Sequence, residues 1–352
     1  MVKQGQISLL IPSTIFIAFL VVPISAKNPL FIFGDSILDA GNNNYIQTTS
    51  FAQANFYPYG ITFFNFPTGR FSDGRLICDF IAKYANLPLI LPFLQPDNGL
   101  INGVNFASAG AGALVQTYPG LVINLHEQLR NYKKVESKFR YKFGDVKARK
   151  RLTKAVYMFS IGGNDYSSSS TFLTNYPKSE YVDMVIGNIT FVITEIYKTG
   201  GRKFAFLNVP PLGCMPMARI SSIDGDCIKE PLSYAILHNK ALSYVLKELQ
   251  IKLPGFKYSL YDFYTSLQQR IDHPSNYGYK EGKVACCGTG RFRGIMSCGE
   301  RRPVKYYELC ENMKDYVFWD SAHLTEKTYK QLADEMWNLR SYGSYNIKDL
   351  FH

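Results

Sequence analysis

The chain has 352 residues, 46% hydrophobic and 19% charged, and 39 Lys and Arg against 28 Asp and Glu give a formal net charge of +11. That hydrophobic content excludes a disordered chain and a coiled coil, and the length allows one large α/β domain or two ordinary ones. The basic balance fits nucleic acid, an anionic surface or solubility alone, but there is no long Lys/Arg run and no arginine-rich arm, which speaks against nucleic acid.

At the start of the chain, Lys3 precedes an apolar stretch from about Ile7 to Val22, followed by Pro23 and the small pair Ser25-Ala26. This is the layout of a secretory signal peptide over residues 1–26, cleaved after Ala26. A membrane anchor would need about 20 apolar residues, and Pro12, Ser13 and Thr14 interrupt this run. Residues 27–352, with no other stretch long enough for a stable membrane span, are expected to form one secreted domain.

Along that domain, short apolar runs at 30–33, 104–107, 156–160, 204–208 and 258–261 read as strands covered on both faces. Amphipathic stretches at 76–84, 121–139, 181–199, 232–253 and 326–337 read as helices between or after them. The alternation predicts an α/β fold with a mostly parallel sheet and right-handed crossovers. Seven aromatics crowd residues 51–66, where they line an acyl pocket or form a satellite core under a long loop. Arg70, Asp73 and Arg75 are read as an ion-pair cluster that holds this loop. The sequon at Asn188 in the 181–199 helix is a candidate glycosylation site.

Cys214, Cys227, Cys286, Cys287, Cys298 and Cys310 suggest up to three disulfides in an oxidising compartment, stapling a Cys-rich insertion at about 273–315. Adjacent Cys286 and Cys287 are expected to take different partners. Cys78 reads as a buried thiol. A metal site is disfavoured, since no Cys-x2-Cys pair occurs and the only imidazole near the cluster is His273.

In a parallel sheet, functional groups gather at the carboxyl ends of the strands. Gly34-Asp35-Ser36, the Ser/Gly/Ala stretch at 108–112, and Gly162-Gly163-Asn164-Asp165 directly follow the first three strands, and Asp320-Ser321-Ala322-His323 follows a short apolar run at 316–319. Singly, each has a plain structural reading as a helix cap or turn. The 108–112 stretch lacks both the G-x-G-x-x-G spacing and the Gly-Lys-Ser/Thr ending of nucleotide-binding loops. Together they supply what a serine hydrolase needs. Ser36 is the candidate nucleophile and His323 the base. Asp320 sits three residues earlier to fix the tautomer, and the donors to an oxyanion are the Ser36 N–H, a glycine N–H of the second cluster and the Asn164 amide. Of the other histidines, His126 and His238 fall in helical patterns and read as surface or capping residues, while His352 is terminal. Asp35 and Asp165 read as structural hydrogen bonders.

F-G-D-S-I-L-D-A-G-N-N-N at 33–44 resembles the first block of the GDSL-type esterase/lipases of the SGNH hydrolase superfamily. N-F-A-S-A-G-A-G at 105–112, G-G-N-D-Y at 162–166 and D-S-A-H at 320–323 resemble the later blocks. P-T-G-R-F-S-D-G-R at 67–75, N-V-P-P-L-G-C at 208–214 and A-C-C-G-T-G at 285–290 are similar to plant members. The resemblance implies an α/β/α sandwich around a five-stranded flavodoxin-like sheet, and ester hydrolysis without a metal or other cofactor. It also implies Ser36, Asp320 and His323 as a triad, with Ser36, Gly110 and Asn164 as the oxyanion hole. Ile37 replaces the leucine of the signature, a change in packing rather than chemistry. Ala109 stands where many members have glycine, and Gly110 is favoured as the donor. The G-x-S-x-G elbow of α/β-hydrolases is absent, so a shallow, open site is expected. Three functions fit these residues: a secreted esterase/lipase acting on small-molecule or lipid-like esters, an acyltransferase using the same acyl-serine, and a binding protein on a retired scaffold. The intact set of Ser36, Asn164, Asp320 and His323 argues against the last.

Overall fold

A computed structural model describes residues 1, 27–96, 99–167, 175–339 and 345–352. The expected signal segment at 1–26 lies almost wholly outside the described residues. The central sheet comprises β1 (Leu30–Gly34), β2 (Gly103–Asn105), β3 (Val156–Ser160), β4 (Lys203–Leu207) and β5 (Lys257–Tyr261). All four pairings are parallel and the order is β2-β1-β3-β4-β5. This is the flavodoxin-like order, and the helix-covered sheet is the α/β fold of the SGNH hydrolases.

The strands read as continuous apolar runs because both faces are covered. Register aligns Phe31 with Tyr157 and Phe204, and Phe33 with Phe159 and Phe206, so two aromatic rows cross three strands on one face. Ring centroids along the rows lie 4.8–5.4 Å apart, the spacing at which offset aromatic pairs attract. The alternate residues Ile32, Met158 and Ala205 point to the opposite face, as the two-residue strand period requires.

The helices are α1 (Ile77–Tyr84), α2 (Leu125–Phe143), α3 (Asp145–Lys154), α4 (Gly163–Ser167), α5 (Lys178–Thr199), α6 (Pro216–Arg219), α7 (Lys229–Lys252), α8 (Phe263–Asp272), α9 (Glu326–Asn338) and α10 (Ile347–Phe351). Tyr132 and Phe139 of α2 pack on Phe31 of the aromatic face, and α2, α5 and α7 pack in succession. The order in which strands are added reverses after β2, which places α1 on the other side of the sheet, where it packs against α9. α2 starts at Leu125 rather than 121 because the Asn124 side chain accepts the Glu127 N–H and caps it. α3 and α8 were not anticipated. Only Ala148 and Leu152 of basic α3 are buried, too narrow an apolar stripe to register as periodic.

The Cys-rich region holds β6 (Glu281–Ala285), which pairs with β9 (Tyr316–Phe318), and β7 (Cys287–Gly288), which pairs with β8 (Glu308–Leu309). Cys286 bonds Cys310 and Cys287 bonds Cys298, so the adjacent cysteines do take different partners. The third bridge, Cys214–Cys227, lies outside the expected 273–315 segment and ties the connection between β4 and α7. Cys78 is buried with its Sγ toward the Leu38 carbonyl, and burial pushes its thiol pKa up. Among the described residues no helix is long and apolar enough to cross a membrane.

Candidate active site

The site forms at the carboxyl ends of β1 and β3, where the strand order reverses. Gly34 has φ +152°, and a Cβ there would lie 2.2 Å from the Ser160 carbonyl oxygen. Only glycine lets β1 approach β3 this closely and turn, with the Asp35 N–H donating to that same oxygen at 3.1 Å. The Gln128 side chain clamps the turn: its Oε1 accepts the Gly34 N–H and its Nε2 donates to the Gly34 carbonyl, both at 2.8 Å. Gln128 is fully buried on α2 and was not found by sequence reading. Asp35 is buried and its Oδ1 accepts the Ile37 N–H, a structural role as expected; burial pushes its carboxyl up to about 7.

Ser36 is half-buried, with Oγ 2.8 Å from His323 Nε2. His323 Nδ1 lies 2.8 Å from Asp320 Oδ1 and 3.0 Å from Oδ2. Asp320 Oδ1 also accepts the N–H groups of Ala322 and His323, which closes the D-S-A-H turn around the carboxylate. Burial alone would raise the Asp320 pKa, but the facing imidazole, the Ala322 N–H and the Tyr59 hydroxyl outweigh it and hold the carboxyl well below its ordinary range. An ionised Asp320 accepts only, so the imidazole proton sits on Nδ1 and Nε2 is free to accept from the Ser36 hydroxyl.

The second and third blocks are held by buried carboxylates and amides. Asp39 accepts the Gly41 and Asn42 N–H groups on Oδ1 and the Ala109 N–H on Oδ2. The Ala109 amide is therefore taken, whereas the N–H groups of Ser36 and Gly110 have no acceptor among the described residues. Gly110 has φ +82°, left-handed backbone that glycine adopts without strain. Asp165 accepts the Ala113 and Leu114 N–H groups and the Thr117 hydroxyl, fixing the segment after Gly110; burial pushes it up to about 6 against those bonds. Asn164 donates one amide hydrogen to the Ala111 carbonyl at 3.0 Å, leaving the other available. Asn42 and Asn43 of the first block brace the second by donating to the carbonyls of Asn105, Ala107 and Ala109.

Ser36, Gly110, Asn164 and His323 border a cleft of about 730 Å³. That is a ligand-sized pocket rather than the shallow site expected, because Met215, Met217, Tyr118, Leu121 and Met296 build its walls. No Lys or Arg lines it among the described residues. The aromatic loop divides between its two readings. Phe51 lines the cleft, whereas Phe56 and Tyr59 pack with Phe71, Trp319 and four of the bridged cysteines in a second core. Arg70 pairs with Asp79 and Arg75 with Glu326, while Asp73 forms no ion pair among the described residues and instead caps α9 by accepting the Glu326 N–H.

His238 is neither exposed nor a cap. It is fully buried on α7, with Nδ1 2.8 Å from the Tyr166 hydroxyl, and burial lowers its pKa to about 3. It packs where Gly162 leaves no room for a Cβ. His126 is half-buried, stacked on Phe191. Its Nε2 meets Asn188 Oδ1 at 2.6 Å, and the Asn188 amide donates to the Met184 carbonyl within α5.

A sequence model described as GDSL-like Lipase/Acylhydrolase matches residues 30–336. GDSL esterase/lipase 5 of Arabidopsis thaliana is 58% identical over 336 residues, covering 92% of this chain and 87% of that protein. GDSL esterase/lipase 2 of the same plant is 51% identical, covering 93% and 90%. The GDSL lipase of Tanacetum cinerariifolium is 47% identical, covering 92% and 87%. With a match across nearly the whole described fold, the chain belongs to the GDSL-like lipase/acylhydrolase family, whose enzymes hydrolyse carboxylic esters.

Proposed function

We propose that the protein is a secreted serine esterase/lipase that works through an acyl-enzyme on Ser36. The observation that carries this reading is the continuous chain from Ser36 Oγ to His323 Nε2 and from His323 Nδ1 to Asp320 Oδ1, each contact 2.8 Å, at the wall of an apolar cleft. His323 takes the Ser36 proton as Oγ attacks the ester carbonyl, and Asp320 stabilises the imidazolium that forms. The N–H groups of Ser36 and Gly110 and the second amide hydrogen of Asn164 receive the oxyanion. His323 then protonates the departing alcohol. Water, deprotonated by the same imidazole, attacks the acyl-serine, and the imidazolium returns its proton to Ser36 Oγ as the acid is released.

The Met- and aromatic-rich walls, with no Lys or Arg among the described lining residues, select an ester with an apolar acyl group. Secretion is supported by three disulfides and by the signal-like residues 1–26. Residues 27–352 act as one catalytic domain, with the Cys-rich segment as part of it. Purified protein is expected to hydrolyse p-nitrophenyl esters of apolar acids, with turnover abolished in Ser36→Ala. Turnover retained in that variant would overturn the reading.

A further inference from the structure

Behind the triad lies a set of buried polar groups that the proposed chemistry does not use. Arg302, in the Cys-rich region, is fully buried, yet among the described residues it forms no direct ion pair. A buried guanidinium without a counter-charge is strongly unfavourable, so its charge must be answered nearby. Its Nη2 donates to the Tyr59 hydroxyl at 2.9 Å, and that hydroxyl donates to Asp320 Oδ2 at 2.7 Å. Its Nε donates to the Cys298 carbonyl at 3.3 Å and its Nη1 to the Ser50 carbonyl. The guanidinium also lies 5.0 Å from the Phe56 ring centroid and 5.9 Å from that of Phe71, and Phe71 in turn packs 4.5 Å from the His323 ring. The nearest negative charge along this path is Asp320, reached through one phenol.

We propose that Tyr59 and Arg302 are positioning residues that extend Ser36, His323 and Asp320 into a five-residue chain and set the charge that Asp320 presents to His323. The proposal rests on the reading of those three residues as the triad. The Tyr59 hydroxyl, polarised by Arg302, fixes the carboxylate plane and draws negative charge toward itself and away from the imidazole, with which it shares Oδ2. Asp320 therefore divides its charge between the imidazole and the phenol instead of giving it to the imidazole alone. Burial pushes the Tyr59 hydroxyl far above its ordinary range, so it remains a donor throughout. Asp35, Tyr118 and Tyr166 around the cleft, Tyr329 of α9 and Cys78 of α1 are the other titratable groups nearby, and none of them hydrogen-bonds to Asp320 or His323 among the described residues. The chain also gives the Cys-rich region a part in catalysis, since Arg302 lies within the loop closed by Cys286–Cys310 and bonds the carbonyl of Cys298, itself bridged to Cys287.

The test is the pH dependence of kcat/KM for a p-nitrophenyl ester, measured from acid to mildly alkaline pH on the full chain and on Tyr59→Phe. Phenylalanine keeps the ring packing against Phe56, Phe71 and Trp319 and removes only the donor. The acid limb of Tyr59→Phe is expected to move up by roughly half to one pH unit, with KM unchanged, because part of a charge-assisted bond to Asp320 is lost. Arg302→Gln should move it the same way, and Arg302→Lys, which keeps the charge, should move it less. An acid limb that stays in place in both Tyr59→Phe and Arg302→Gln would overturn the proposal, whether or not the plateau falls, since a purely structural role lowers the plateau alone. Ser36→Ala, run in parallel, separates this failure from failure of the triad itself.

Discussion

Replacing Asp320 by Asn removes one charge from the centre of the site while nearly preserving its shape. Three donors converge on Oδ1: the N–H groups of Ala322 and His323, and the imidazole Nδ1–H. They hold the amide oxygen of the new side chain at that position and leave its nitrogen toward Tyr59, whose hydroxyl can rotate to accept. The imidazole therefore keeps its tautomer, and the loss is electrostatic. Charge centres about 4 Å apart at an effective dielectric of about 20 interact by about 4 kcal/mol. At about 1.4 kcal/mol per decade, kcat is expected to fall roughly 10³-fold with KM little changed. Stability falls as well, by about 3–5 kcal/mol, because Arg302 loses the charge that answers it. The folded pKa of Asp320 is depressed, so its contribution is fully present above its ordinary value of 3.8 and is lost as pH falls further. The destabilisation should thus be complete at pH 7 and shrink below about pH 4. Ester turnover and urea unfolding of wild type and variant measure both effects. A kcat loss under tenfold would refute the view that Asp320 acts through its charge.

Asn164→Ala removes one proposed oxyanion donor, and kcat is expected to drop roughly 10²- to 10³-fold with KM almost unchanged; a rise in KM alone would place the amide in substrate binding instead. Gly110→Ala brings a Cβ to 3.0 Å from the Val122 side chain on left-handed backbone, so kcat should fall as the N–H is displaced, and unaltered turnover would remove Gly110 from the hole. Asp35→Asn tests the buried carboxyl beside Ser36. Its folded pKa is raised from 3.8 to about 7, so ionisation disfavours the folded wild type progressively between those values. The variant should gain relative stability as pH rises through that window, by up to roughly 4 kcal/mol at pH 8. A pH-independent difference in urea unfolding would contradict this.

The parts of the fold that were legible in the sequence are those whose cause is local. β1 reads as a strand because five consecutive residues are buried from both sides, and Ser36 follows it directly. Asp320 and His323 read as a pair because a turn of three residues brings them together. What escaped depends on partners distant in sequence. Gln128 meets Gly34 across 94 residues, Tyr59 meets Asp320 across 261, and Arg302 meets Tyr59 across 243. Such partners leave no periodic or motif signal. His238 was misread for the same reason: its helical pattern gives no hint that Gly162 opens a pocket for the ring. Disulfide pairing also lay beyond spacing, and Cys214–Cys227 falls outside the cluster that drew the eye.

Ser36 is proposed as a nucleophile made reactive by His323. Labelling the intact chain with a fluorophosphonate and mapping the adduct by mass spectrometry tests it most directly. One adduct on the Ser36 peptide is expected, absent in Ser36→Ala, lost in His323→Ala and lost on heat denaturation. An adduct on another serine, or labelling that survives in His323→Ala, would contradict the account.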